Sequence, residues 1–226
     1  MCFNASVSIS VFALGIICLG IMVSRKLYFF SVFYLFIIIM QLLEYFAHIS
    51  LMNNDSKLNK LSASFALLLL VLQPVIFSLY AGLIENNSKN FLYKISPFIA
   101  FFITISILLH KSAQSTNTLR ISYLNKACNS NVCLLEWSFF RSNYLLSCMF
   151  IFMYFLLFIF TGNNLVLSKY FYESFTICVF LLTLSLVYMT FIDKLPFNKH
   201  LIESFGSLWC IMATLLGPYV VFSTSK

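Results

Sequence analysis

The chain has 226 residues, of which 61% are hydrophobic and 9% charged, with a formal net charge of +7 at pH 7. Soluble domains carry about 25% charged residues, so this composition argues against a water-soluble domain and favours a bundle that is apolar inside and outside alike. The basic residues are spread over every connection instead of forming one face, so we expect contacts with membrane lipids and no nucleic-acid partner.

Seven apolar stretches approach the length of about 20 residues that a transmembrane helix requires. In chain order they are 5–23, 28–50, 61–84, 95–110, 143–161, 169–192 and 199–222. The connections are short and polar, except for one that is long enough to hold structure of its own. The sequence therefore predicts an all-α polytopic integral membrane protein, in which residues 1–226 form a single seven-helix transmembrane domain with an outer loop at 111–142.

Positive charges beside the helices indicate the orientation, since cytoplasmic connections carry an excess of Lys and Arg. Arg25 and Lys26 follow the first stretch and no basic residue precedes it, which is the reverse of the charge order in a cleaved leader. The side of the membrane on which Arg25 lies carries more basic residues than the opposite side when the long connection is left out of the count. This difference predicts that the N-terminus is outside and the C-terminus inside.

Two cysteines, Cys128 and Cys133, stand close together in the long polar connection. Their spacing predicts a small disulfide loop, and two unpaired thiols are the alternative. A disulfide persists in an oxidising compartment, which agrees with an outer position for this connection.

Polar side chains inside the apolar stretches mark candidate sites, because an ionisable group is costly at the bilayer centre unless it faces the bundle or an interface. The second stretch carries Gln41, Glu44 and His48, which a helix places within about 60° of one another. The seventh stretch opens with His200 and Glu203. The sequence thus predicts two helices that each have one polar face.

Gln73 and Pro74 stand together in the middle of the third stretch. Pro74 lacks an amide proton and therefore frees the carbonyl of Leu70, which predicts a kink at this point. We expect Gln73 to satisfy that carbonyl or to face a cavity.

The three histidines, His48, His110 and His200, all fall at the outer ends of their predicted helices, as do Glu44 and Glu203. If these helices are neighbours, the carboxylates and imidazoles converge beneath the outer surface. Such a cluster could bind zinc for hydrolysis of a lipid or an amide, relay protons in a transporter, or hold a small polar ligand. The structural alternative places the histidines beside lipid headgroups and each glutamate beside a neighbouring polar side chain.

The opening Met-Cys-Phe-Asn-Ala, followed by an apolar helix, a basic pair and Gln41-x-x-Glu44, resembles a family of uncharacterised multi-pass membrane proteins. Members of that family begin Met-Cys-Phe-Ser-Ala and carry Gln-x-x-Glu in the second helix. The chain departs from the pattern at Asn4, where the family has Ser, and at His48, where many members have Trp. The resemblance covers roughly the first two helices; it implies a membrane architecture and points to Cys2, Gln41 and Glu44 without implying a reaction.

These observations together predict a receptor-like or transporter-like membrane protein that binds a small ligand or ion inside the bundle, with no cofactor. The predicted lining residues are Gln41, Glu44, Gln73 and Glu203. The alternative is a zinc-dependent intramembrane hydrolase. Its predicted metal ligands are His48, His110 and His200. No catalytic residue is predicted, because the positions of the Ser, His and Asp residues suggest no nucleophile with its base.

Overall fold

Most of the chain folds as α-helices, as the apolar stretches predict. The computed structural model describes residues 5–84, 98–99, 101–103, 105–106, 122–124, 135–137, 144–162, 168–193, 209–210 and 212–224. The helices of six residues or more in these ranges are α1 (Ala5–Ser24), α2 (Tyr28–Met52), α3 (Ser56–Ile84), α4 (Tyr144–Gly162), α5 (Ser168–Asp193) and α6 (Leu216–Ser223). Strands β1 (Ser122–Leu124) and β2 (Leu135–Trp137) pair as an antiparallel ladder.

Among the residues that the structure describes, three helices are long and apolar enough to cross a membrane: α1, α2 and the Ser56–Phe77 part of α3. Helices α4 and α5 contain shorter apolar stretches. Large apolar side chains such as Leu14, Phe152 and Phe180 are exposed on the outside of the helices. This surface is unfavourable in water but ordinary in lipid. The prediction of a helical membrane protein is therefore confirmed.

Helix α3 begins at Ser56 and not at residue 61, where the apolar stretch begins. One carboxylate oxygen of Asp55 accepts hydrogen bonds from the backbone amides of Lys57 at 3.0 Å and Leu58 at 3.1 Å. Asp55 is thus the N-cap residue of α3. It accepts hydrogen bonds from first-turn amides that have no acceptor within the helix. The polar first turn is helical because of this cap, and hydropathy alone does not show it.

The seventh predicted helix is interrupted. Residues 209–210 and 212–213 are helical, a turn follows at Thr214 and Leu215, and α6 then begins at Leu216. Pro218 has no amide proton to donate to the carbonyl four residues earlier, which belongs to Thr214. The helical hydrogen-bond pattern therefore breaks at this point, although the hydropathy stays high.

The long connection contains the β1–β2 ladder, so the all-α prediction omits one small element. In its register Ser122 lies opposite Trp137 and Leu124 opposite Leu135. Leu135 and Trp137 are fully buried, and β1 contacts α3. Strands of three residues are too short for a periodic pattern in the sequence, which is why the ladder was not expected.

Aromatic side chains hold the long helices together. Phe77 of α3 lies between Phe33 of α2 and Phe158 of α4, with ring centroids 4.7 Å and 5.2 Å away. Phe158 in turn contacts Phe175 of α5 at 6.1 Å. These separations are typical of favourable ring pairs. The cluster therefore fixes α3, α4 and α5 against α2, the helix that carries three of the predicted polar residues.

Two side chains hold α6 at the opposite end of the bundle from the α2–α3 turn. The guanidinium of Arg25 donates a hydrogen bond to the carbonyl of Val221, near the end of α6. The hydroxyl of Tyr219 donates to the carboxylate of Glu173 on α5. A cation beside the last carbonyls of a helix is favourable. Glu173 was not singled out from the sequence, because it stands near the polar start of its helix.

Candidate polar site on the second helix

Gln41, Glu44 and His48 of α2 form one buried row, which we name the α2 polar strip. Gln41 and Glu44 are 0% exposed and His48 is 5% exposed. They follow one another at spacings of three and four residues, so each is about one helical turn from the next. Since α2 continues to Met52, Glu44 lies about 12 Å along the axis from the helix end. A carboxyl group is therefore held deep inside an apolar helix bundle.

The strip faces the interior of the bundle. On α2, Ile38 contacts α1 and the carbonyl of Phe36 contacts α3. All three side chains of the strip are buried, whereas Phe46, which is 37% exposed, lies roughly opposite the strip at 100° per residue. The polar side chains are thus turned away from lipid, as a functional or structurally paired group in a membrane must be.

Gln73 lies at the centre of a separate buried network. Its side-chain amide nitrogen donates to the carbonyl of Phe36 on α2 at 3.4 Å, and its oxygen accepts the hydroxyl proton of Tyr154 on α4. The indole nitrogen of Trp209 donates to the Tyr154 hydroxyl at 2.7 Å. The expectation that Gln73 satisfies the carbonyl of Leu70 is therefore wrong, because its amide is engaged with two other helices.

Tyr154 and Trp209 were missed from the sequence although a signal exists. A hydroxyl or an indole N–H in the middle of an apolar stretch requires a hydrogen-bond partner. Both side chains are almost completely buried, at 0% and 2% exposure. Hydropathy alone does not separate a buried Tyr or Trp from one at the lipid surface, so the sequence analysis singled out neither residue.

A small pocket at the α2–α3 turn is distinct from the strip. It has a volume of about 220 Å³. Its lining residues are Ser50, Leu51, Asn54, Asp55, Ser56 and Asn59. Asn59 donates a hydrogen bond to the hydroxyl of Ser50 at 3.0 Å, which joins α3 to α2 at this pocket. Ser50 lies about 160° around α2 from His48, so this pocket opens on another side of the helix.

Several predicted site residues lie outside the residues that the structure describes. They are His110, Cys128, Cys133, His200 and Glu203. Within the described ranges, no group of three His, Cys, Asp or Glu side chains could hold a metal ion. Two of the three predicted zinc ligands fall outside those ranges, so the zinc site and the disulfide both stay predictions.

No family model, no curated protein and no solved structure matches this chain. The α2 polar strip contains one carboxyl group, one amide and one imidazole in single file, a set that can bind a cation, exchange protons or hydrogen-bond a small polar molecule.

Proposed function

We propose that the chain is a seven-helix integral membrane protein that binds a small ligand or ion at the α2 polar strip, in the manner of a receptor or transporter. The observation that carries this proposal is the burial of Glu44, which is 0% exposed about 12 Å from the end of α2. Burying a carboxyl group in a membrane is costly, and ionisable groups in such places are typically functional. Gln41 and His48 lie one turn away on each side and add a polar amide and a titratable ring.

The proposed role of Gln73 differs from that of the strip. Its hydrogen bonds to Phe36 and Tyr154 support a structural role that holds α3 to α2 and α4. Glu203, on the seventh predicted helix, remains the proposed second carboxylate of the site. The ligand site proposed on the described residues is therefore the α2 polar strip alone.

The proposed topology has the N-terminus outside, which puts Ser24 on the inside and Met52 on the outside. Both residues are exposed at helix ends, and Met52 is 71% exposed. In intact cells, a membrane-impermeant maleimide should label the Met52→Cys variant more strongly than the unsubstituted protein. It should label Ser24→Cys only after the cells are permeabilised. The opposite pattern would reverse the proposed orientation.

Ligand binding can be tested by the melting temperature of the purified protein in detergent. A species that binds only the folded state raises stability by about 2.7 kcal/mol at a hundred times its dissociation constant. The probes are protons, NaCl, KCl, CaCl2 and ZnCl2. We expect at least one of them to shift the melting temperature and Glu44→Gln to abolish that shift.

The matched control is Glu173→Gln, in which the new amide oxygen can still accept the hydrogen bond from Tyr219. This variant should retain the shift. If Glu44→Gln responds to every probe as the unsubstituted protein does, the strip is structural and the proposal fails. A shift seen with ZnCl2 alone, kept in Glu44→Gln and lost in His48→Asn, would instead favour the zinc hydrolase.

A further inference from the structure

The pocket at the α2–α3 turn is polar, and it lies where two membrane helices end. Hydroxyl, amide and carboxylate groups line its volume of about 220 Å³, together with the side chain of Leu51. Two of the lining residues, Ser50 and Asn59, are buried at 1% and 4% exposure, and the hydrogen bond between them joins the two helices there. Every lining side chain except Leu51 carries an oxygen that can accept a hydrogen bond. The pocket is therefore suited to a ligand that donates several hydrogen bonds.

Asp55 is the one charged residue among those that line the pocket. Its Oδ1 accepts both amide hydrogen bonds of the N-cap, from Lys57 and Leu58. No donor in the described part of the chain reaches the second oxygen, Oδ2. A carboxylate oxygen forms its strongest hydrogen bonds with cationic donors. The group that this pocket favours is therefore a cation with N–H donors.

Two lysines stand between the pocket and a surface of α3 that faces lipid. At 100° per residue, Lys60 and Lys57 lie about 40° and 100° around α3 from Ser56, which lines the pocket. Leu68 and Leu61 follow at about 120° and 140°, and we name these two the α3 lipid stripe. They are 48% and 55% exposed on a helix long and apolar enough to cross a membrane. Around α3, a carboxylate, two exposed ammonium groups and a lipid-facing stripe thus follow in this order.

We propose that the pocket binds the headgroup of an ethanolamine phospholipid. The primary ammonium of the headgroup lies in the pocket and donates hydrogen bonds to Asp55 and to the neighbouring amide and hydroxyl oxygens. The phosphate lies beside Lys57 and Lys60, and the acyl chains lie along the α3 lipid stripe. Ammonium, phosphate and acyl chains follow one another in such a lipid, so their order matches that of the groups on α3. This site is separate from the α2 polar strip and goes beyond the proposed function.

The lining of the pocket favours ethanolamine over the other common headgroups. The nitrogen of a choline headgroup carries methyl groups and no N–H donor, and proteins recognise such quaternary ammonium groups with aromatic cages. Among the residues that the structure describes, none of those that line the pocket is aromatic. A headgroup with a net negative charge would find the lysines but would meet the carboxylate of Asp55 without a balancing ammonium. The charges on both sides of the pocket rim therefore match a zwitterion with a primary ammonium.

The test measures lipid affinity by native mass spectrometry of the full-length protein in detergent. The probes are phosphatidylethanolamine, phosphatidylcholine and phosphatidylglycerol with identical acyl chains. Phosphatidylethanolamine should bind about ten-fold more tightly than the other two, which is the effect expected from one hydrogen bond between charged groups. Glycerophosphoethanolamine, the same headgroup without acyl chains, should compete only at much higher concentrations, because it makes no contact with the α3 lipid stripe.

Two sets of variants separate the ammonium from the phosphate. Asp55→Asn keeps the oxygen of the N-cap and removes the charge, so it should bind the ethanolamine and choline lipids equally. Its control is Glu173→Gln at the other end of the bundle, which should keep the ten-fold preference. Lys57→Gln combined with Lys60→Gln should weaken the binding of both lipids by the same factor, because both carry the phosphate. Lys26→Gln, which changes an exposed lysine of the α1–α2 turn, should weaken neither.

Equal affinities of the unsubstituted protein for the ethanolamine and choline lipids would overturn the proposal, and this comparison requires no substitution. Tighter binding of phosphatidylglycerol would assign the lysines to an anionic lipid and would overturn it as well. A preference for ethanolamine that persists in Asp55→Asn would exclude the pocket as its origin. Competition by glycerophosphoethanolamine at the same concentrations as the lipid would overturn a lipid as the source of the headgroup.

Discussion

The hydroxyl of Tyr34 on α2 donates a hydrogen bond to the carbonyl oxygen of Thr214, at a distance of 2.9 Å. Pro218 stands four residues after Thr214 and has no amide proton, so this carbonyl lacks its usual partner within a helix. Tyr34 supplies the missing donor from another helix. Gly217 makes the approach possible, because a methyl group there would lie 2.3 Å from the Tyr34 ring.

Removal of the Tyr34 hydroxyl should destabilise the protein. Tyr34→Phe leaves a buried carbonyl without this donor, which we expect to lower the free energy of unfolding by about 1–3 kcal/mol. The measurement is thermal unfolding of the purified protein in detergent. Tyr28→Phe is the control, because Tyr28 is 53% exposed at the start of the same helix. Equal melting temperatures for the two variants would show that the Tyr34 bond contributes nothing measurable.

Two glycines of α1 should respond in opposite ways to the same substitution. In Gly15→Ala the new methyl group meets Cγ2 of Ile38 at 2.4 Å, and overpacking of this kind costs about 1–3 kcal/mol. Nothing lies within 4 Å of a methyl group at Gly20, so Gly20→Ala should be neutral or gain up to about 1 kcal/mol from helix propensity. Ile38→Ala should rescue Gly15→Ala in unfolding experiments. Similar melting temperatures for both alanine variants would contradict the close contact of α1 with α2.

The bond between Gln73 and Tyr154 should appear as a coupling energy. Tyr154→Phe removes a hydroxyl that accepts a hydrogen bond from Trp209 and donates one to Gln73. A double-mutant cycle with Gln73→Leu should give a coupling of about 0.5–3 kcal/mol, the range for residues in one hydrogen-bond network. Tyr172→Phe serves as the control partner, since the Tyr172 hydroxyl bonds instead to the carbonyl of Ile159. Additive effects of Gln73→Leu and Tyr154→Phe would exclude the network.

The N-cap of α3 should tolerate one substitution of Asp55 and not another. Asp55→Ala removes both hydrogen bonds to the amides of Lys57 and Leu58, which should cost about 0.5–2 kcal/mol. Asp55→Asn keeps an acceptor oxygen of the same reach, so its free energy of unfolding should be close to that of the unsubstituted protein. A loss of stability as large in Asp55→Asn as in Asp55→Ala would indicate that the charge, and not the cap, is what the turn requires.

The amino-acid sequence alone determined helices α1 and α2 and the polar face of α2. A long apolar run in lipid satisfies its backbone amides within its own segment when it is a helix, and α1 and α2 begin and end within two residues of their predicted limits. Gln41, Glu44 and His48 share a face because helical periodicity requires it, whatever the neighbouring helices are. These are local properties, and a local pattern is sufficient to read them.

Contacts between distant parts of the chain were decided only by the tertiary structure. How closely α1 approaches α2 depends on Gly15, where a methyl group would lie 2.4 Å from Ile38, and no periodic pattern contains that distance. In the same way, the packing of α2, α3 and α4 brings the carbonyl of Phe36 and the hydroxyl of Tyr154 to Gln73, and no local pattern in the sequence contains either contact. Hydropathy is the same for every arrangement of apolar helices in lipid, so only side-chain packing distinguishes one arrangement from another.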